Sequence, residues 1–320
     1  MHTDNGSNEV VIETNGLRRA FGKTIAVDGL DLSIHKGEIF GLVGPDGAGK
    51  TTVLLLLSAI MDPTDGDASV AGYDTRRNPE AIKSHIGYMA QSFSLYADLS
   101  VDENLNFFAD VFGVSGKERR ARIERLLTFA RLTQFRKRRA GALSGGMQKK
   151  LGLACTLIHQ PDILYLDEPT TGVDPVSRRE FWDILTDLHV QGVTIVVSTP
   201  YMDEAERCSR IGLMYEGKLI ECDTPEAIRQ QVPGRVLQVL PDDRLRARSI
   251  LRDIPSIREV QSYGEMLHVF VDEIDSGKQV VSEALTQAGV AVQSMREVEP
   301  RVEEAFISLI RRRDLAEEAI

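Results

Sequence analysis

The 320-residue chain is poor in cysteine, holds a single tryptophan and has no excess of positive charge. Its three cysteines, Cys155, Cys208 and Cys222, lie far apart, without the close spacing of a metal knuckle or the even count of a disulfide framework. They read as buried thiols of a reducing compartment. The longest nearly unbroken apolar stretch, residues 53–61 interrupted by Ser58, is about half of the roughly 20 residues a membrane-spanning helix needs. The chain is therefore expected not to cross a bilayer. Its opening residues, MHTDNGSNEV, lack the basic-then-apolar order of an export signal, and a cytoplasmic location follows. The formal net charge of −10 argues against general nucleic-acid affinity, which needs concentrated Lys and Arg. The basic stretch 117–139 is a local exception. There Arg119, Arg122 and Arg125 interleave with Ile123, Leu126 and Leu127 at helical spacing, the pattern of a solvated helix face, with a nucleic-acid or lipid-headgroup patch as the alternative.

What is present is an ordinary globular composition, 42% hydrophobic and 27% charged, with room for one large domain and one small. Residues 9–43 alternate apolar and polar positions between turn glycines, which predicts a β-rich opening. A helix follows over 50–60, then a short strand at 86–89 within a mostly helical stretch to 131. A helix from about Gly146, a buried strand at 163–166, a helix from Ser177, a strand at 194–198, a helix over 203–208 and a hairpin about Glu216-Gly217 complete the series. Strands alternating with helices predict a parallel α/β sheet. Pro233-Gly234 reads as a linker, after which strand, helix, strand, strand, helix, strand succeed one another from 235 to 297, the βαββαβ order of a ferredoxin-like domain, with a closing helix from Val302. The expected division is a flexible polar N-terminus (1–8), a large domain (9–232) with a helical subdomain at about 92–160, and an accessory domain (235–320).

Chemistry concentrates in the large domain. The strand EIFGLV runs into Gly44-Pro45-Asp46-Gly47-Ala48-Gly49-Lys50-Thr51-Thr52, a G-x-x-x-x-G-K-[ST] loop between a strand and a helix. In such a loop the glycines let backbone N–H groups turn onto phosphates, Lys50 neutralises their oxygens and the Thr51 hydroxyl can ligate Mg²⁺. A chance match in a chain this long is on the order of one in a hundred at average residue usage, so the loop predicts ATP binding. Downstream, the apolar strand 163–166 ends in Asp167-Glu168, two carboxylates where open α/β sheets hold ligands. This pair suits a metal ligand (Asp167) and a residue that polarises attacking water (Glu168).

Between these two motifs stands Leu143-Ser144-Gly145-Gly146-Met147-Gln148. With it, residues 9–225 resemble the ABC ATPase family, whose ATP-binding subunits work in pairs. The resemblance implies that Ser144, Gly145 and Gly146, opening a helix whose N-terminus favours an anion, contact the nucleotide of a second ATP-binding subunit, self or sibling. It implies that Gln91 is the Q-loop glutamine that contacts Mg²⁺, that Phe21 stacks on adenine and that Asp174 belongs to the D-loop. A core aromatic for Phe21 and a helix cap for Asp174 remain alternatives. The tail resembles that of multidrug, antibiotic and polysaccharide export ATPases. This implies a separate ABC-2 type permease as partner and attachment through it to the inner face of the membrane. One P-loop and no sustained heptads separate the chain from the soluble twin-cassette or coiled-coil members of the family.

Two departures qualify the resemblance. Pro200 stands where the family places a histidine that bonds the γ-phosphate, and proline has neither side-chain donor nor backbone N–H. Asp46 replaces the usual asparagine, with its side chain expected to cap local N–H groups. The first departure leaves two readings open: a complete homodimeric motor, or a nucleotide-binding, weakly hydrolysing half of an asymmetric dimer.

Overall fold

The alternation in the N-terminal stretch builds an antiparallel ribbon. Val10–Phe21 (β1) pairs with Thr24–His35 (β2), and Val27, Leu30, Leu32 and Ile34 turn inward while their neighbours face out. The computed structural model describes residues 9–92 and 95–318, with side chains through residue 313, so the expected N-terminal segment 1–8 lies outside the described residues. The chain divides into two compact units, one ending at Asp223 and one beginning at Thr224.

In the first unit Ile39–Val43 (β3) is buried at every position and leads through the glycine loop into Lys50–Leu57 (α1). Asp65–Val70 (β4) and Tyr73–Asp74 (β5) extend the first sheet to the order β2-β1-β4-β5. Pro79–His85 (α2) then feeds Ile86–Met89 (β6). Val101–Val111 (α3), Gly116–Phe129 (α4) and Gly145–Thr156 (α5) make the helical region. A strand-and-helix series closes the unit: Ile163–Asp167 (β7), Pro175–Val190 (α6), Thr194–Thr199 (β8), Met202–Ala205 (α7), Arg210–Tyr215 (β9) and Lys218–Asp223 (β10). The six-stranded sheet runs β10-β9-β3-β8-β7-β6, parallel except for β10.

Helix α1 explains its own sequence. Val53, Leu54, Leu56 and Leu57 share one core cluster with Ile12 and Leu30 of the first sheet and Ile163 and Tyr165 of the second. A helix enclosed by apolar surface on both sides is apolar all round rather than striped. It ends at Leu57, earlier than expected, because Ala59 turns left-handed (φ 52°) and Ile60 N bonds back to Leu55 O. Likewise α7 stops at Ala205 rather than 208, since Cys208 N closes a turn on Ala205 O and Ser209 N is taken by Ile39 O. Cys155 and Cys208 are buried, while Cys222 is only half-buried and accepts from Arg210 Nη2 at 3.4 Å.

Part of the basic stretch is neutralised inside the helical region. Arg119 pairs with Asp110, Arg122 with Glu118 and the Ile158 carbonyl, and Arg136 with both Asp102 and Glu124. For these three arginines the pairings fit the solvated-face reading.

The second unit opens with Pro225–Gln230 (α8), which Thr224 caps and which packs against the C-terminal helix. The boundary therefore precedes the Pro233-Gly234 linker. Arg235–Pro241 (β11), Arg244–Arg252 (α9), Ile257–Tyr263 (β12), Met266–Val271 (β13), Ile274–Gln287 (α10) and Val292–Val298 (β14) form an antiparallel sheet in the order β12-β13-β11-β14. This is the ferredoxin-like arrangement. Leu237, Val239 and Val269 face a core with Ala247, Leu251, Val281 and Leu285 of α9 and α10. On the opposite face lie the alternate residues Gln238 and His268, and Val302–Glu318 (α11) brings Glu304 onto His268 Nδ1.

Candidate nucleotide site

At the C-terminal ends of β3 and β7 the sequence motifs meet. Gly49, the residue before α1, has φ 101°, and a Cβ there would stand 2.2 Å from Ala26 O, so glycine alone fits. Lys50 is 3% exposed. Its ammonium donates to Gly44 O at 2.8 Å and Pro45 O at 3.0 Å and lies 3.4 Å from Glu168 Oε1. A buried cation held by its own loop and a carboxylate is poised to exchange those partners for phosphate oxygens.

The two carboxylates are fixed by neighbouring strands. β7 and β8 run parallel with Asp167 opposite Ser198, whose hydroxyl donates to Asp167 Oδ1 at 2.6 Å and accepts from Glu168 N at 3.0 Å. Thr51 Oγ1 donates to the same Asp167 oxygen at 3.0 Å. Tyr88 OH stands 3.5 Å from Oδ2; burial, with the Asp167 charge behind it, pushes the phenol above its ordinary range. Glu168 adopts φ 44°, a left-handed conformation that costs a non-glycine residue about 1–3 kcal/mol and is found where a site demands it. Its Oε2 accepts from Gln91 Nε2 at 2.8 Å and from Thr171 Oγ1 at 3.3 Å. Lys149 of α5 donates to Gln91 O at 2.7 Å, and burial lowers its pKa against the pull of Asp167 and Glu168.

A cleft of about 280 Å³ opens here, lined by Ala26, Asp46, Gly47, Gly49, Lys50, Thr51, Thr52, Gln91 and Glu168. Its walls combine loop N–H groups, a lysine and hard oxygen donors, the set that suits a nucleoside triphosphate with a divalent cation. Asp46 is exposed and accepts no hydrogen bond among the described residues, so the expected cap on local N–H groups is not formed. A larger cleft, about 580 Å³, lies in the second unit among Arg229, Arg235 and Glu297. No phosphate-binding loop borders it, and Arg235 is already paired with Glu297.

Other expected residues sit away from the cleft. Phe21 ends β1 and is 46% exposed, with the Arg19 guanidinium 4.7 Å from its ring centroid, so it is not a core aromatic. Ser144 caps α5 by accepting from Met147 N. Gly146 lets α5 approach α6 closely: a Cβ there would stand 2.4 Å from Ser177 Cβ, whereas a Cβ on Gly145 would reach Gly172 O only at 4.0 Å. Asp174 caps α6 through Val176 N and Ser177 N, and those backbone bonds, Ser177 first, hold its carboxyl below the usual range. Pro200 directly follows β8. Ala26, Tyr88, Lys149 and Ser198 were not singled out from sequence. Only Ser198, a polar residue ending an apolar strand, carried a local signal.

A glycine-rich loop from strand to helix, with a buried lysine and a carboxylate pair two strands over, defines a P-loop nucleotide-binding domain. Residues 27–171 match the model of the ABC transporter family. The chain is 42% identical over 310 residues to the probable multidrug ABC transporter ATP-binding protein YbhF of Escherichia coli K12, covering 95% of this chain and 52% of that protein. It is 32% identical over 303 residues to the daunorubicin resistance ATP-binding protein DrrA2 of Streptomyces coeruleorubidus, covering 93% of this chain and 94% of that one. Among solved structures, the dimeric ATP-binding cassette MJ0796 bound to ADP and Pi superposes with a TM-score of 0.60 at 26% identity, over 67% of this chain and 98% of that one. The chain belongs to the ATP-binding proteins of the ABC transporter family. It spans about half the length of the E. coli relative and nearly the whole of DrrA2. Among the described residues no helix is long and apolar enough to cross a membrane.

Proposed function

We propose that the chain is the ATP-hydrolysing motor of an exporter, pairing with a second ATP-binding subunit and driving a separate permease of the ABC-2 type at the inner face of the membrane. The convergence of Lys50, Thr51, Gln91, Asp167 and Glu168 on one cleft carries this reading. Thr51 Oγ1 and Asp167, with Gln91, would hold Mg²⁺, which supplies positive charge to the phosphate oxygens. Lys50 would leave its loop carbonyls for the β and γ oxygens. Glu168, released from Lys50, would orient the attacking water and accept its proton, with Gln91 fixing the carboxylate. Ser144, Gly145 and Gly146 would present the α5 N-terminus to the nucleotide of the opposite subunit, with Asp174 beside them at the interface. Phe21, with an exposed face, would stack on adenine.

A second reading rests on Pro200. A strand end without a side-chain donor lacks one contact to the γ-phosphate, and loss of such a donor costs roughly 10²–10³ in turnover. That favours a nucleotide-binding, weakly hydrolysing partner in an asymmetric dimer. Mg²⁺-dependent ATP hydrolysis by the full chain, with ATP binding measured separately, decides between the two. Turnover on the order of 1 s⁻¹ that Glu168→Gln abolishes supports the complete motor. Binding without turnover, with a gain in Pro200→His, supports the asymmetric partner, and absence of ATP binding overturns both.

A further inference from the structure

Glu204 is a carboxylate that the scheme above does not use, yet it is 1% exposed. A group of this kind is kept in an interior only when its partners satisfy it, and here they come from three different segments. Thr170 Oγ1 donates to Oε1, Thr199 Oγ1 donates to Oε2 at 2.8 Å, and Arg178 Nε approaches Oε1 to 3.6 Å. Each partner is tied to the nucleotide site. Thr170 lies two positions after Glu168, and its neighbour Thr171 donates to Glu168 Oε2. Thr199 ends β8 beside Pro200, and its carbonyl accepts from Gly44 N, the first residue of the glycine loop, at 3.3 Å. Its hydroxyl also accepts from Tyr201 N at 3.0 Å, which fixes the turn around Pro200. Arg178 stands in the first turns of α6, the helix that Asp174 opens, and its guanidinium covers the Tyr201 ring at 4.4 Å.

We propose that Glu204 is a positioning residue that locks the Glu168 loop, the Pro200 turn and the start of α6 into one register over the phosphate site. The inference rests on the nucleotide-site reading given above. A threonine on each carboxylate oxygen makes the lock two-sided, so slack at the Pro200 turn passes to the Glu168 loop through a single side chain. A turn without the family's histidine then still holds Gly44 and Glu168 at their spacing.

The test uses the full chain and the variants Glu204→Gln, Thr170→Val and the double variant. One readout is kcat against the separately measured Kd for Mg-ATP, in the parent and in Pro200→His. The other is hydrogen exchange without nucleotide in peptides covering Gly44 and Glu168. Glu204→Gln is expected to lower kcat about tenfold with Kd within about twofold, and Thr170→Val with Glu204→Gln to be clearly less than multiplicative, as residues of one network are. Exchange at Gly44 and Glu168 should quicken while that of β4 stays as in the parent. Should Glu204→Gln fail to fold, Thr170→Val alone must give the same pattern. Exchange at Gly44 and Glu168 equal to the parent overturns the proposal even if the chain proves catalytically silent, as does kcat unchanged in an active background. Failure of ATP binding in the parent, by contrast, overturns the nucleotide-site reading and leaves the exchange result to judge the lock.

Discussion

The Lys50 ammonium stands 3.4 Å from Glu168 Oε1, both side chains buried, so the candidate phosphate-binding cation and the candidate general base neutralise each other across the cleft. An incoming triphosphate must outbid that pair. Lys50→Met is therefore expected to lose ATP binding and to leave Glu168 a buried, uncompensated carboxylate, at a cost of about 3–5 kcal/mol in stability. Titration with ATP and urea unfolding of parent and variant check both parts. A Lys50→Met protein as stable as the parent would show the pair to be energetically idle.

Glu168→Gln removes the proposed proton acceptor and keeps the shape. Its turnover should fall about 10²–10⁴-fold while ATP binding persists, read from single-turnover hydrolysis and equilibrium binding on the same preparation. Equal losses in both would make Glu168 a binding residue.

Gly49→Ala meets two obstacles at once: a φ of 101° and a Cβ 2.2 Å from Ala26 O. The strain term alone is about 1–3 kcal/mol, and the clash moves either the loop or the start of β2. A lower melting temperature and loss of ATP binding are expected together in a thermal melt with and without nucleotide. A variant that melts like the parent would show the loop to be more yielding than its geometry.

Asp174 should make stability depend on acid. Its carboxyl is held below the ordinary range in the folded chain by the Ser177 and Val176 backbone bonds. Its contribution is therefore full above the ordinary carboxylate value and fades as pH falls from there through the lowered folded value. The melting-temperature gap between parent and Asp174→Ala should be widest near neutral pH and shrink below the ordinary carboxylate range. A gap independent of pH would mean that the cap acts without its charge.

In the second unit, His268 and Glu304 are 1% and 4% exposed, and Glu304 also accepts from Arg301 N at 2.8 Å. Glu304→Ala leaves the buried His268 Nδ1 without this partner, with an expected loss of about 1–3 kcal/mol. Urea unfolding of the full chain, followed by a probe placed in that unit, measures it; an unchanged midpoint would show that α11 docks by its apolar residues alone.

Local pattern determined much of this protein. A glycine loop between strand and helix, an apolar strand ending in two carboxylates and a serine opening a helix are each set by a few consecutive residues, because backbone freedom, capping and strand burial act over that range. The βαββαβ succession was legible for the same reason: period-2 and period-3.6 patterns alternate along the chain. The tertiary structure decided what those patterns touch. Ser198 meets Asp167 only because β7 and β8 run parallel in one register, and Ala26 borders the cleft only because β2 passes Gly49. The Lys149 contact with Gln91 and the Thr170 bond to Glu204 join residues distant in the chain. The partners of a buried charge are chosen by packing and desolvation in three dimensions, and no spacing along one dimension records them.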